Sequence, residues 1–284
     1  MLRLRGSSAL KILLLLLVFV GVGLAAMHQR LVRALIYHPR RSLAAEEIPA
    51  RFGVTDADTL RFATANHQSV FGWWLPARGN RQACGAAIVF YGNEGNLVTR
   101  APLGVALATR GLDVLLFDYR GFGASPGTPS ETTMREDGRA AYGFVRSRGI
   151  RPERILLIGH SLGTAIALDV ASRFTVGGVI LLAPFTSLDG VVRERLGWFP
   201  ASILPDSERF ESLASAASVR APALAALGEN DRLIPRADAQ QLYNALGGTK
   251  EWVLVQDVGH NNILTSEPLW WRVERFQRSA LRCE

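Results

Sequence analysis

The chain has 284 residues, 48% of them hydrophobic, and a formal net charge of +7 from 32 basic and 25 acidic side chains. This length and apolar content suffice to bury a large core within one α/β domain. The basic residues are scattered without a dense run, which argues against a nucleic-acid groove, and two cysteines are too few for a disulfide scaffold or a metal cluster.

The first element in the chain is an uncharged apolar run over residues 12–26. Its length lies between that of a cleaved signal peptide and that of an uncleaved anchor. We interpret residues 1–27 as a single-pass membrane anchor, with the rest of the chain outside the cytoplasm. Secretion after cleavage near Gly23 is the alternative. Residues 28–284 are then predicted to form one domain.

Strand-like and helix-like patterns alternate after the anchor. Residues 54–76 predict a hairpin with its turn at Asn66 and His67, and the following segments read as a strand over 86–90, a helix over 99–109, a strand over 114–117 and a helix over 131–148. Such alternation predicts a mostly parallel sheet flanked by helices, whose functional residues lie at the carboxyl ends of the strands. We expect Cys84 and Cys283 to be unpaired, a bridge between them being the alternative.

The second half of the chain continues the alternation with an interruption. Strands are predicted over 155–158, 178–183, 223–227 and 252–255, and a helix with one apolar face closes the chain. Residues 188–221 contain prolines and charges without strand character. This segment predicts a small cap inserted over the carboxyl edge of the sheet.

A pentapeptide at the end of the 155–158 strand carries the chemistry. Residues 159–163 read Gly-His-Ser-Leu-Gly, and apolar residues at helical spacing follow directly. A strand-to-helix turn this tight holds its central residue in a strained backbone conformation, and only small residues fit beside it. The pattern predicts Ser161 as a nucleophile, with Gly159 and Gly163 supplying the space around it.

A serine hydroxyl needs a base to take its proton. Among the five histidines, His260 follows the last predicted strand in a glycine-bordered loop. It is the predicted base, because a nucleophile on this kind of turn is followed in the chain first by an acid and then by a histidine. We expect the backbone direction at His160 to carry that side chain away from Ser161.

The acid that holds the base in the right tautomer is predicted to be Asp231. It follows the 223–227 strand and therefore lies at the same sheet edge as the serine and the histidine. Asp189 and Asp257 are the alternatives, and a turn-forming aspartate is the simpler interpretation of each.

Two backbone N–H groups are needed to stabilise a developing oxyanion. Leu162 follows the nucleophile and supplies one of them. Asn93 lies in the loop after the 86–90 strand and supplies the other, and Gly92 lets that backbone approach closely. Asp118, Tyr119 and Arg120 are predicted to brace the adjoining loop. Four aromatic residues are candidates for the wall of a substrate pocket: Tyr91, Phe185, Trp198 and Phe199.

Three segments together resemble the α/β-hydrolase superfamily of serine hydrolases. The segments are residues 91–96, 118–125 and 159–163. They look most like its membrane-anchored members, whose first segment usually reads His-Gly-Asn-x-Gly-Asn, and Tyr91 departs from that pattern. The resemblance implies an α/β-hydrolase fold and hydrolysis of carboxylic esters or thioesters. Relatives cleave lipid acyl chains, lysophospholipids and protein palmitoyl groups.

The sequence therefore predicts a membrane-anchored, lipase-like serine esterase that acts on an ester substrate without a cofactor or a metal. The glycine-rich loops lack the Gly-Lys-Ser/Thr ending of a phosphate-binding loop, so no nucleotide is implied. A peptidase of the same fold is one alternative, because it would use an identical triad. A catalytically silent scaffold anchored to the membrane is the other.

Overall fold

The computed structural model describes residues 5–41, 56–78, 83–196 and 204–283. The chain divides into two compact units, Met1–His38 and Pro39–Glu284. The first unit is built on helix α1, Arg5–Ile36. Its section Leu14–Ile36 has 23 residues and a mean hydropathy of 1.8. At 1.5 Å per residue it extends about 34 Å, enough to cross a hydrocarbon core of ~30 Å. The predicted N-terminal hydrophobic helix is confirmed.

The second unit contains one large sheet with eight strands among the described residues. They are β1 Asp58–Ala63, β2 Ser69–Leu75, β3 Gly85–Phe90, β4 Leu112–Phe117, β5 Ile155–His160, β6 Gly178–Leu182, β7 Ala223–Gly228 and β8 Lys250–Val255. Their spatial order is β8-β7-β6-β5-β3-β4-β2-β1. Strand β2 runs antiparallel to both β1 and β4, and all other neighbours are parallel. The predicted mostly parallel sheet is confirmed. Short two-residue strands also occur at His38–Pro39 and Glu94–Gly95.

The hairpin predicted before the parallel strands is present as β1 and β2. Its turn is closed by a hydrogen bond from the Thr64 N–H to the Gln68 carbonyl, 2.9 Å long. His67 lies in this turn with a φ of 56°. The aromatic second arm is core: the Phe71 and Trp73 side chains are buried.

Helices cover the sheet between the strands. They are α2 Ala101–Ala108, α3 Glu131–Ser147, α4 Leu162–Arg173, α5 Leu188–Leu196, α6 Leu213–Ser218, α7 Arg236–Ala245 and α8 Glu267–Ala280. Single 3₁₀ turns occur at Leu97–Arg100, Pro152–Arg154, Asp206–Glu208 and Ile263–Thr265. Alternate strand residues such as Val89, Leu116 and Ile158 form one core with α2 and α8. Because successive strand side chains point to opposite faces, the remaining strand residues face α3 and α4.

The chain end returns to the start of β3, where a disulfide joins Cys84 to Cys283. Their Cα atoms are 5.6 Å apart, within the range that a disulfide spans. The prediction of two unpaired cysteines is therefore wrong. The pairing could not be predicted from the sequence, because the two cysteines are 199 residues apart and the packing of α8 against the sheet brings them together.

Residues 188–221, the predicted cap, contain α5, the 3₁₀ turn Asp206–Glu208 and α6 in the parts that the structure describes. Residues 197–203 lie outside the described ranges. Two hydrogen bonds tie this segment to the rest of the domain: the Ser212 N–H donates to the Thr186 carbonyl at 2.8 Å, and the Phe210 N–H donates to the Glu131 carboxylate at 2.7 Å.

Candidate active site

Ser161 lies between the end of β5 and the start of α4, as the pentapeptide predicts. Its φ of 52° and ψ of −123° place it in a region that residues with a side chain rarely adopt. Its N–H donates to the Leu182 carbonyl at 2.9 Å, which holds the strained turn against the neighbouring strand β6. The Ser161 side chain is consequently presented at the carboxyl edge of the sheet.

The two flanking glycines are required by close backbone approach. A Cβ on Gly159 would lie 2.7 Å from the Gly163 carbonyl oxygen. A Cβ on Gly163 would collide with the carbonyl group of Phe90 and lie 2.7 Å from the carbonyl oxygen of Tyr91. Neither position tolerates a side chain without a shift of the main chain, in keeping with the spacing of the pentapeptide.

Ser161, His260 and Asp231 form a continuous hydrogen-bonded chain. The distance from Ser161 Oγ to His260 Nε2 is 2.9 Å, and the distance from His260 Nδ1 to Asp231 Oδ2 is 2.8 Å. The imidazole proton is placed on Nδ1 because that nitrogen faces a carboxylate. Nδ1–H then donates to Asp231, and Nε2 accepts from the serine hydroxyl. This arrangement can withdraw the hydroxyl proton during nucleophilic attack.

Asp231 is fixed by further contacts. Its Oδ1 accepts the N–H groups of Leu233 at 2.8 Å and Ile234 at 2.9 Å. Burial raises the pKa of this carboxyl, but the hydrogen bond and charge of His260, together with the two N–H groups, outweigh burial and leave the pKa below its ordinary value. Asp231 therefore remains a carboxylate at neutral pH and can stabilise a cationic imidazole.

The two alternative acids are not brought to the histidine. Asp189 forms an ion pair with Arg209 at 3.2 Å, and Asp257 is exposed with a φ of 59°. The aspartate that contacts His260 is Asp231, the residue the sheet-edge argument selected.

His160 is a further residue that lines the cleft. Its Nε2–H donates to the His260 carbonyl at 3.1 Å, and the two rings lie 5.3 Å apart at 39°. Burial, then the nearby positive charges of His260 and Arg100, lower the pKa of His160 to about 3. The His160 side chain, at the end of β5, thus contacts the loop that contains His260. Nothing in the local sequence signals a contact with a residue 100 positions away.

The predicted oxyanion donors are placed beside the serine. Gly92 packs against it so closely that a Cβ on Gly92 would lie 3.3 Å from Ser161 Cβ. Asn93 follows Gly92 and lines the cleft, and Leu162 is the first residue of α4. A helix N-terminus directed at the site favours a developing negative charge there.

The loop after β4 braces the loop after β3. The buried carboxylate of Asp118 accepts the Leu97 N–H at 2.7 Å, the Ala124 N–H at 3.1 Å and the Tyr91 hydroxyl at 3.2 Å. Burial raises the pKa of Asp118 to about 6 despite these hydrogen bonds. Arg120 is likewise structural, because its Nε donates to the buried carboxylate of Asp137 at 2.6 Å.

The aromatic residues predicted to line a substrate pocket have different locations. Tyr91 and Phe185 are 1% and 2% exposed, and neither is among the described residues that line the cleft. The Tyr91 ring packs 4.9 Å from the Tyr119 ring, and its hydroxyl is held by Asp118, so its side chain points into the protein interior. Trp198 and Phe199 lie outside the described residues.

An open cleft of about 350 Å³ surrounds Ser161. This volume is at the lower end of the range for small-molecule sites. Most residues of its described wall are polar or charged: Gly92, Asn93, Glu94, Arg100, His160, Ser161, Asn230, Arg232, Leu233, His260 and Asn261. Within the described ranges, no group of three or more His, Cys, Asp or Glu side chains is arranged to hold a metal ion.

Sequence comparison matches residues 90–257 to the model of a family described as the alpha/beta hydrolase family. An uncharacterized protein of Mycobacterium tuberculosis is 36% identical over 232 residues, covering 81% of this chain and 80% of that protein. The uncharacterized protein YfhR of Escherichia coli is 32% identical over 213 residues, covering 72% of this chain and 73% of YfhR.

Solved structures with the same fold are more distant in sequence. The esterase Pf2001 of Pyrococcus furiosus superposes with a TM-score of 0.70 at 21% identity, covering 87% of this chain and 98% of the esterase. An acetyl xylan esterase from Paenibacillus superposes with a TM-score of 0.61 at 19% identity, covering 84% of this chain and 96% of that enzyme. At these identities the likeness concerns the fold.

Proposed function

The chain belongs to the alpha/beta hydrolase family, and on this premise we propose that it is a serine hydrolase that cleaves carboxylic ester or thioester bonds. Ser161 is the nucleophile, His260 the general base and acid, and Asp231 the residue that orients the histidine. The observation that carries the proposal is the unbroken hydrogen-bonded chain from the Ser161 hydroxyl through His260 to Asp231.

In the first half-reaction, Ser161 Oγ attacks the acyl carbonyl carbon while its proton passes to His260 Nε2. The carbonyl π electrons move onto oxygen, and the backbone N–H groups of Asn93 and Leu162 stabilise the resulting oxyanion. Collapse of the tetrahedral intermediate expels the alcohol or thiol, which takes the proton from His260. The acyl group is left as an ester on Ser161.

In the second half-reaction, water replaces the leaving group. His260 removes a proton from the water as it attacks the acyl-enzyme, and returns that proton to Ser161 Oγ as the carboxylic acid departs. Asp231 stays ionised throughout, since its pKa lies below the ordinary value, and its charge stabilises the imidazolium formed in each half-reaction. The hydrogen bond from His160 to the His260 carbonyl helps to keep the imidazole in place.

We further propose that α1 anchors the enzyme in a membrane and that the catalytic domain lies outside the cytoplasm. Large apolar side chains of this helix are exposed, including Leu15 and Phe19, as expected of a segment that meets lipid. The Cys84–Cys283 disulfide supports the orientation, because such bonds persist mainly in oxidising compartments. An enzyme held at a bilayer encounters esters of lipid-like molecules, which are the proposed substrate class.

The test is hydrolysis of p-nitrophenyl esters of increasing acyl length by the full chain in a neutral detergent. We expect release of p-nitrophenol by the wild type and loss of at least about 10³-fold in Ser161→Ala, the scale seen when a triad nucleophile is removed. Ser172→Ala is the matched control, because this serine lies on the same helix α4 and its hydroxyl donates to the Asp169 carbonyl within that helix. It should retain wild-type turnover.

The same assay separates the alternatives. Esters are the first substrates to test, because solved structures with the same fold are named as esterases. Hydrolysis of p-nitroanilides in preference to the matched esters would favour a peptidase. Absence of any turnover that depends on Ser161, with either class, would indicate a scaffold in which the hydrogen-bonded chain is retained without use.

A further inference from the structure

Two arginines from opposite sides of the cleft line it near the serine. Arg100 ends the 3₁₀ turn that follows β3, and Arg232 follows Asp231 in the loop after β7. Each comes from a loop at the carboxyl edge of the sheet, so the cleft that contains Ser161 lies between them. Their charges are part of the wall that a substrate meets.

The acidic side chains close to these arginines also have other partners. Glu94 also lines the cleft, but its carboxylate lies 3.6 Å from Arg40. The Asp231 carboxylate is taken by His260 and by two backbone N–H groups. Within the described ranges, no ion pair joins Arg100 or Arg232 to a carboxylate. The two arginines therefore outnumber the one carboxylate, that of Glu94, among the charged side chains of the described cleft wall.

Arg100 is held at the cleft wall with part of its hydrogen-bonding capacity unused. Its Nη2 donates to the Glu94 carbonyl at 3.3 Å, and its guanidinium carbon lies 5.9 Å from the centre of the Tyr91 ring. Its Nε is buried and has no hydrogen-bond partner among the described residues. A partly buried cation whose donors are not all hydrogen-bonded is costly, and an anion that enters the cleft would offset that cost.

The positive charge of Arg100 acts on His160, which lines the same cleft. It contributes to the lowering of the pKa of His160, whose ring lies against the ring of His260. Burial also lowers the pKa of Arg100 itself, and the nearby charge of Glu94 offsets part of that lowering. An anionic group on the substrate would be attracted by the same field.

We infer that the cleft selects esters that carry an anionic group, a carboxylate or a phosphate, which Arg100 and Arg232 bind while Ser161 attacks the ester carbonyl. Guanidinium groups suit this role because their planar donors match carboxylate and phosphate oxygens. The inference rests on the proposed hydrolase function and narrows its substrate class. It makes Arg100 and Arg232 determinants of specificity.

The test compares two matched pairs of substrates in neutral detergent with the full chain. In the first pair the charge is a carboxylate on the acyl side: mono-p-nitrophenyl glutarate against p-nitrophenyl pentanoate. In the second the charge is a phosphate on the alcohol side: monooleoylglycerol phosphate against monooleoylglycerol, followed by oleate release. The quantity compared is the ratio of kcat/KM for the anionic member to that for the neutral member, which cancels general damage to the enzyme.

We expect the wild-type ratio to exceed one in at least one pair. Arg100→Gln and Arg232→Gln should each lower that ratio by about 10- to 100-fold, the usual scale for loss of a hydrogen bond to a charged group. Arg151→Gln is the control, because this exposed arginine precedes β5 at the opposite edge of the sheet and should leave the ratio unchanged. Arg232 is also exposed, so its variant tests the inference even if Arg100→Gln folds poorly.

Two failures are distinguishable. If the neutral esters are hydrolysed in a Ser161-dependent way but both ratios are insensitive to Arg100→Gln and Arg232→Gln, the arginines serve the structure of the loops and only this inference is overturned. If no ester, charged or neutral, is hydrolysed in a Ser161-dependent way, the proposed function and the inference fall together.

Discussion

Replacement of Asp231 by asparagine tests the roles of the three site residues through their hydrogen-bond directions. Oδ1 of Asp231 accepts two backbone N–H groups, from Leu233 and Ile234. In Asp231→Asn these donors hold the amide oxygen at the Oδ1 position, so the NH₂ group must occupy the Oδ2 position, 2.8 Å from His260 Nδ1. The amide then donates to Nδ1, and the imidazole proton moves to Nε2.

The moved proton blocks the chemistry. Nε2–H would donate to Ser161 Oγ across a distance of 2.9 Å instead of accepting the hydroxyl proton. The variant keeps the fold and the shape of the cleft, but the base is in the wrong tautomer and the imidazolium loses its counter-charge. We expect kcat to fall by about 10⁴-fold, which corresponds to a barrier higher by ~5 kcal/mol.

The assay is p-nitrophenyl ester hydrolysis at pH 7.5–8 (about one pH unit above the ordinary histidine pKa), with the melting temperature measured in parallel. Asp257→Asn is the matched control, because Asp257 lies in the same loop as His260, is exposed, and has a φ of 59° that asparagine tolerates. A fall of less than about tenfold in Asp231→Asn, or an equal fall in Asp257→Asn, would refute the assigned roles.

Three further predictions concern stability. Cys283→Ser should lower the free energy of unfolding by about 2–5 kcal/mol, because the bond to Cys84 closes a loop of 199 residues in the unfolded chain; chemical denaturation measures it. Gly163→Ala should cost about 3 kcal/mol or more, because the added methyl group meets backbone carbonyls of the preceding loop. The pKa of His160 is lowered to about 3 in the folded state, so each pH unit below 6.5 should cost the protein about 1.4 kcal/mol of stability. The reference is His160→Asn, whose amide can still donate to the His260 carbonyl.

The sign of the His160 effect follows from proton binding. Between pH 6.5 and about 3 the unfolded chain binds a proton on this side chain and the folded protein does not, so acid favours unfolding. Parallel pH profiles of wild type and variant would contradict the argument.

Gly143→Ala is the control for Gly163, since a Cβ at Gly143 meets no atom within 4 Å on helix α3. Dithiothreitol should destabilise the wild type and leave Cys283→Ser unchanged.

Much of the fold and the site could be predicted because the signals are local or depend on sheet topology. The elbow around Ser161 is encoded within five residues, and the collisions at Gly159 and Gly163 show why those residues are needed. Asp231 and His260 each follow a parallel strand, which places them at the sheet edge where Ser161 lies. The carboxyl ends of parallel strands meet at one edge whatever the intervening sequence.

The features that the sequence did not reveal depend on side-chain packing between distant segments. The disulfide depends on the position to which helix α8 brings Cys283. The contact of His160 with the loop of His260 depends on the direction of the side chain at the end of β5. Neither follows from periodicity or from strand order. Each requires knowledge of the angles at which elements pack.

The chemistry of the cleft wall shows why the placement of aromatic residues matters for substrate choice. Tyr91 and Phe185 were expected to offer an apolar surface, but both are buried, and Tyr91 is held inside by Asp118. Among the described residues that line the cleft, Leu233 is the one with a large apolar side chain. The described wall therefore offers one large apolar side chain to an acyl chain, whereas Arg100 and Arg232 offer guanidinium donors and positive charge to an anion. Discrimination at this wall should consequently follow charge more strongly than acyl length.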